Sequence, residues 1–218
     1  FKDASMNSLP PQAAEYEGKY TIVLDMDETL LHTNEKRPTA AEMKAVDIVE
    51  LRFPEGPMFS RVRPHASRLI ESLAGEAELV LWTAGMRDYA RACMEELDPN
   101  RHIAHSIYRD RRWFDMSYYV KHLDRLGRSM DKTLIVDNSD YVCRDNADHA
   151  IIVDDFYGSP DDLLLLVEDL LKELIASDKT VPEYLEECAK NGKVIFLDGF
   201  YRIYDWARLG TLPSHKDE

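Results

Sequence analysis

Positive charge is scarce in this 218-residue chain: 27 Lys and Arg stand against 41 Asp and Glu, a formal net charge of −14. Recognition of a nucleic-acid backbone depends on clustered Lys and Arg, so the balance argues against a direct nucleic-acid partner. Cysteine is scarcer still. Cys93, Cys143 and Cys188 are odd in number and widely spaced, which fits buried thiols in a reducing compartment rather than a disulfide framework. No run approaches the ~20 apolar residues that span a bilayer. The longest, Leu163 to Val167, is broken by Glu168 and Asp169, so no membrane segment is expected within these residues. A glycine-rich phosphate loop and a nucleophile-elbow serine are both missing. The chain opens on Phe1 rather than Met, which leaves an upstream targeting or membrane segment open.

What is present is the composition of a soluble globular protein, 44% apolar and 31% charged. The length suits one large domain, or one domain with a small appendage. Residues 1–18 read as a leader with no sustained period. Tyr20 to Leu24 is a short, β-branched apolar run, the pattern of a strand buried on both faces. Ala45 to Phe53 and Met58 to Val62 read as a hairpin turning at Pro54-Glu55-Gly56-Pro57. Helices are expected over Pro64–Leu73, Met86–Leu97 and Tyr118–Leu126, and strands over Glu78–Trp82, Ile103–Tyr108, Thr133–Val136 and Ala150–Val153. Ser159-Pro160-Asp161-Asp162 predicts a helix capped by Ser159 and running to about Ala176. Residues 178–218 read as a C-terminal extension, with an acidic helix over Pro182–Ala189 and a strand over Lys193–Leu197. Strands alternating with helices imply an α/β fold, a parallel Rossmann-like sheet covered on both faces.

Ligands of such sheets bind beyond the carboxyl ends of the strands. Three expected strands end in polar residues there: Asp25, Thr83, and Asp137 with Asn138. Asp25 and Asp27, two positions apart at a strand end, pair a carboxylate nucleophile with a second carboxylic acid for proton transfer. Magnesium needs only one or two protein carboxylates and an amide oxygen, and it offsets repulsion between an anionic nucleophile and a phosphate. A calcium loop is rejected, since it wants glycine at its sixth position and glutamate at its twelfth, where Leu30 and Lys36 stand. Lys121, flanked by Val120 and Leu123, is a candidate to neutralise the phosphate, with Arg109, Arg111 and Arg112 upstream. His102 and His105, without nearby cysteine, are not read as a metal site.

The run Asp25-Met26-Asp27-Glu28-Thr29-Leu30-Leu31-His32 resembles the signature of the haloacid-dehalogenase-type phosphatases related to the RNA polymerase II C-terminal-domain phosphatases. Arg63-Pro64-His65, Leu81-Trp82-Thr83-Ala84, Tyr119-Val120-Lys121-His122-Leu123 and Ile135-Val136-Asp137-Asn138-Ser139 follow in the family's order, and the resemblance covers about residues 19–177. It implies that Asp25 is the nucleophile and Asp27 the general acid/base. Thr83 and Lys121 would contact the phosphoryl group, with Arg109 as a substrate-phosphate arginine. Asp25, the Asp27 carbonyl and Asn138 would hold Mg2+, with Asp137 in support. An insertion at about residues 33–62 would bind substrate, with Val49, Leu51, Met58 and Met86 lining an apolar pocket.

Two residues depart from the pattern. Glu35 replaces an aromatic that recognises a proline beside phosphoserine, and Asp140 replaces a proline after Asn138-Ser139. The resemblance implies a phosphoserine or phosphothreonine protein as substrate and a nuclear or cytoplasmic, intracellular setting. A sister branch, the presequence receptors of the mitochondrial inner-membrane translocase, is echoed by Leu97-Asp98-Pro99 and Tyr157-Gly158-Ser159-Pro160-Asp161-Asp162. It supplies the alternative of a presequence-binding subunit, with or without catalysis. A small-metabolite phosphatase fits less well, because only a modest insertion would cover the site.

Overall fold

The computed structural model describes residues 8–115 and 117–205. Residues 1–7 of the expected leader and 206–218 of the expected extension lie outside them. The apolar run that suggested the first strand forms β1 (Thr21–Leu24), buried at every position. After it come β2 (Leu31–Asn34), α1 (Ala40–Ala45), β3 (Ile48–Phe53), β4 (Gly56–Val62), α2 (Ala66–Leu73), β5 (Glu78–Trp82), α3 (Arg87–Leu97) and β6 (Ile103–Ile107). Then follow β7 (Thr133–Asp137), β8 (Ala150–Val153), α4 (Leu163–Ser177), α5 (Val181–Lys190), β9 (Ile195–Leu197) and β10 (Phe200–Ile203).

Seven strands form the main sheet in the order β6-β5-β1-β7-β8-β10-β9, parallel except for β9. Connections run from β1 to β5 and β6 on one side, then cross to β7 and β8 on the other. Strand order therefore reverses at β1/β7, the place where open α/β sheets bind ligands. Ile22 and Leu24 of β1 join one apolar core with residues of α2, α3, α4 and α5. Val23 faces the other way, toward Leu123, Leu126 and Cys143 in short 3-10 turns, with Leu9 and Trp113 packed at the margin. One face is thus covered by α-helices and the other by irregular chain, a covering that periodicity could not foresee.

Three expectations change. Tyr118–Leu126 is not an α-helix: residues 119–122 form no regular element and only Leu123–Leu126 form a 3-10 turn. Long-range bonds hold that shape, since Lys121 N–H donates to the Val142 carbonyl and the Asn146 side chain donates to the Lys121 carbonyl. Ser159 does not cap α4, which begins at Leu163. Asp161, which would have sat in the first turn, is taken by the buried Arg63 guanidinium at 2.9 and 3.1 Å. The expected hairpin gains a strand. β2 pairs with β4 to make a three-stranded antiparallel sheet, β2-β4-β3, with α1 beside it. Buried Arg61 knits this insertion, donating to Glu42, Asn34 and the Lys36 carbonyl.

The expected C-terminal extension continues the main sheet through β10, which runs parallel to β8. Its helix α5 carries a full capping box, Thr180 with Glu183, worth about 1 kcal/mol to the helix start.

Candidate functional site

Asp25 follows the last residue of β1, where the main chain leaves the sheet but keeps one bond, Asp25 N–H to the Val136 carbonyl at 3.0 Å. The turn that follows is tight. Glu28 sits at φ 61°, the left-handed region, and its backbone is held by the Leu31 carbonyl and the Phe156 N–H. That conformation costs a non-glycine residue about 1 kcal/mol, and it brings Thr29 back beneath Asp25. Thr29 Oγ1 donates to Asp25 Oδ2 at 2.8 Å and lies 3.2 Å from Asn138 Oδ1. The Asp25 carboxylate and the Asn138 amide oxygen therefore converge on one point. Asp155 accepts from Asn138 Nδ2 at 2.7 Å. A carboxylate only accepts, so this contact turns the Asn138 oxygen toward Asp25.

Lys121 is the buried cation of the site. Its Nζ donates to Asp25 Oδ1 at 2.8 Å and Asp137 Oδ2 at 2.6 Å. Burial pulls its pKa down, but the charges of Asp137 and Asp25 outweigh that and hold it well above the usual lysine value. Burial, then the Asp25 charge, pushes Asp137 up against the pull of Lys121. One ammonium thus serves two carboxylates, and Asp137 is oriented further by the Ser139 N–H at 2.9 Å.

Thr83, fully buried after β5, accepts from the Gly85 N–H at 3.0 Å, which leaves its hydroxyl proton free to donate. Gly85 permits the close turn: a Cβ there would lie 3.1 Å from Thr83 Oγ1 and 3.2 Å from the Tyr89 ring. Asp27 accepts from Tyr89 Oη at 2.6 Å through Oδ1. Burial raises the Asp27 pKa, and the Tyr89 bond only partly offsets this. Burial and the neighbouring Asp27 charge also raise the Tyr89 phenol, so it remains a donor.

Not every expected residue joins the group. Met58 and Met86 line the cleft of about 1060 Å³ that opens over Asp27 and Glu28, together with Phe53 and Tyr89. Val49 and Leu51 do not line it. They share a face of β3 with Phe53 but pack into the main core, where Leu51 is buried. Arg109 stacks on Phe114 at 4.7 Å and donates to the Ala84 carbonyl at 2.7 Å, lining a separate cleft with Arg87 and Arg91. Sequence reasoning missed Tyr89, Glu28, Thr29 and Asp155. Glu28 and Thr29 lie inside the Asp25–His32 run and were legible there. Tyr89 and Asp155 reach the site only through the fold.

Whether these residues suit a divalent cation is tested by their charges. Burial raises the Glu28 carboxyl to about 7, helped by the charges of Asp27, Asp25 and Asp155. A cluster of anions under such mutual repulsion suits a dication. Among the described residues no trio of His, Cys, Asp or Glu side chains forms a metal cage. The donors on offer, a carboxylate and an amide oxygen, are those of an ion that keeps several waters, as Mg2+ does.

The fold, a mostly parallel sheet flanked by helices with an antiparallel insertion after β1, is that of the haloacid-dehalogenase class. Residues 20–182 match the family described as "NLI interacting factor-like phosphatase", and the chain belongs to that family of phosphoester-hydrolysing proteins. It is 31% identical over 181 residues to a probable C-terminal domain small phosphatase of Dictyostelium discoideum, covering 78% of this chain and 58% of that protein. It is 32% identical over 152 residues to CTD nuclear envelope phosphatase 1 of Xenopus tropicalis, covering 66% of this chain and 62% of the relative. The chain spans only 33% of CTD small phosphatase-like protein 1 of Caenorhabditis elegans. In fold it is similar to Fcp1, titled an essential RNA polymerase II CTD phosphatase, with a TM-score of 0.53 and 18% identity over 79% of this chain and 53% of that one. No helix among the described residues is long and apolar enough to cross a membrane.

Proposed function

We propose that this protein is a Mg2+-dependent phosphoprotein phosphatase that hydrolyses phosphoserine or phosphothreonine through an aspartyl phosphate on Asp25. The observation that carries this reading is that Lys121 and Thr29 both donate to the Asp25 carboxylate at the switch point of the sheet, with the Asn138 amide oxygen beside the same Thr29 hydroxyl. In the first step an Asp25 oxygen attacks phosphorus and the bond to the substrate oxygen breaks, while Asp27 gives that oxygen its proton. In the second, Asp27 takes a proton from water, whose oxygen attacks phosphorus, releasing phosphate and restoring Asp25. Lys121 cancels charge on the nucleophile so that an anionic phosphoryl group can approach, and the Thr83 hydroxyl donates to it. Asp25, Asn138 and the Asp27 carbonyl would hold Mg2+, with Asp137 supporting through Lys121. When bound, the ion neutralises phosphoryl charge and aligns it with Asp25.

An open cleft rather than an enclosed cavity suits a phosphate carried on a protein. Met58 and Met86 offer that protein an apolar wall, while Glu35 on the same cleft weighs against a proline beside the phosphoserine. Relatives named for the nuclear envelope support an intracellular, nuclear or cytoplasmic setting. The test is phosphate release from an aryl phosphate and from a phosphopeptide panel, with and without Mg2+. Turnover that requires Mg2+ and vanishes in Asp25→Asn is expected, and equal turnover by that variant refutes the reading. Salt-sensitive binding of a basic presequence without any hydrolysis would favour the import-receptor alternative.

A further inference from the structure

The segment from Thr83 to Arg91 separates two clefts of opposite charge. The cleft over Asp27 and Glu28 is lined by these two with Glu35, Glu55 and Asp88, with no Lys or Arg among the described residues of its wall. The other, of about 750 Å³, is lined by Arg87, Arg91, Arg109, Arg112 and His105, with Asp110 as its one carboxylate among the described residues. On a chain with net charge −14 this reversal of sign is local and steep.

Arg87 and Arg91 lie one turn apart on α3, both exposed, and neither makes an ion pair among the described residues. Like charges four residues apart on a helix repel, although acidic residues outnumber basic ones 41 to 27 in the chain as a whole. Arg112 meets Asp110 only at 3.4 Å with both side chains exposed, a contact worth little. Arg109 is more constrained. Its Nε is spent on the Ala84 carbonyl and its plane rests on Phe114, while its backbone N–H bonds the Gly85 carbonyl. The basic cleft is therefore fastened to the same turn that presents Thr83. Burial lowers the pKa of His105 against the pull of Glu78.

We propose that this arginine-lined cleft docks a second anionic group of the substrate protein, a further phosphoserine or phosphothreonine or a run of carboxylates on the same chain as the phosphoester being cleaved. Guanidinium groups bind phosphoryl and carboxylate oxygens in paired, planar contacts. The start of α3 walls both clefts, Arg87 and Arg91 on one side and Met86, Asp88 and Tyr89 on the other, so a peptide that crosses it reaches from the arginines to the cleft over Asp27. The inference rests on the phosphatase reading and names the class of substrate that reading leaves open.

The experiment compares wild type with Arg87→Glu/Arg91→Glu on three phosphoserine peptides. One has neutral flanks, one carries a second phosphoserine and one carries glutamates, the added groups being placed at several spacings. An aryl phosphate is the control. In wild type, KM is expected to be about tenfold lower for an anionic peptide than for the neutral one, the effect of two exposed charge pairs. The advantage vanishes in the double variant and near 1 M salt, where the screening length is ~3 Å, while aryl phosphate turnover is unchanged. A gain with phosphate alone assigns the cleft to phosphoryl groups, and a gain with both assigns it to acidic segments generally. Equal KM for all peptides in wild type, or a preference that survives the double variant, overturns the proposal. If wild type cleaves no aryl phosphate, the phosphatase reading fails instead. Direct binding of the doubly phosphorylated peptide to both proteins then decides the docking site by itself.

Discussion

Tyr89→Phe removes one oxygen from the site and tests how Asp27 works. Tyr89 Oη donates to Asp27 Oδ1 at 2.6 Å. With Oδ1 accepting, a proton held by Asp27 resides on Oδ2, the oxygen free to meet the leaving group. Phenylalanine keeps the ring against Gly85, so the turn behind Thr83 is preserved. A hydrogen bond to a charged group contributes about 1.5–3 kcal/mol, or roughly ten- to hundredfold in rate. The defect should depend on the leaving group. A serine alkoxide needs the proton from Asp27, whereas a nitrophenolate leaves well without it. Turnover of a phosphoserine peptide by Tyr89→Phe should therefore fall about ten- to hundredfold while p-nitrophenyl phosphate turnover stays within about threefold of wild type. The assay is steady-state phosphate release from the two substrates side by side. Equal losses on both would mean that Tyr89 only supports the fold, and no loss on either would mean that Asp27 needs no positioning.

Lys121→Met leaves Asp25 and Asp137 buried without their cation. It should abolish turnover and destabilise the fold by about 3–5 kcal/mol, read by urea denaturation. Mg2+ should raise the melting temperature of wild type, as a ligand at a hundred times its Kd stabilises by ~2.7 kcal/mol. The shift should disappear in Asn138→Ala; a full shift in that variant would remove Asn138 from the binding set. Glu78 is fully buried with Arg128 at 2.8 and 3.0 Å. Burial raises its pKa, but bonds from Arg128 and Thr21 outweigh this and leave it lowered. A lowered carboxyl stabilises above its unfolded pKa and loses that contribution as pH falls through the folded value. Glu78→Gln should thus cost on the order of 3 kcal/mol at pH 7, and the gap to wild type should close below about pH 4.5. Denaturation midpoints across pH check it, and a gap independent of pH would refute it.

Nearly every buried strand was legible in the chain because a strand covered on both faces must be continuously apolar, as Thr21–Leu24 and Thr133–Val136 are. The polar residues at their ends were legible for the same reason: Asp25, Thr83 and Asn138 interrupt apolar runs where a parallel sheet stops. Elements set by contacts distant in sequence were not. Lys121 stays out of a helix because Val142 and Asn146, over twenty residues on, take its N–H and carbonyl. Helix α4 starts late because Arg63, almost a hundred residues earlier, claims Asp161. Leu51 looked like a pocket residue and proved to be core, since alternation along β3 fixes which residues share a face but not what lies against it.

The sequence by itself determined the sheet, its edge and the residue types gathered there, because hydrophobic period and strand-end chemistry are local. Only the tertiary structure decided that Tyr89 holds Asp27, that Asp155 turns Asn138, and that arginines 87 and 91 face a different cleft from Met86 and Asp88 beside them. Those are facts of distance and direction between segments, and they exist only once the chain has closed on itself.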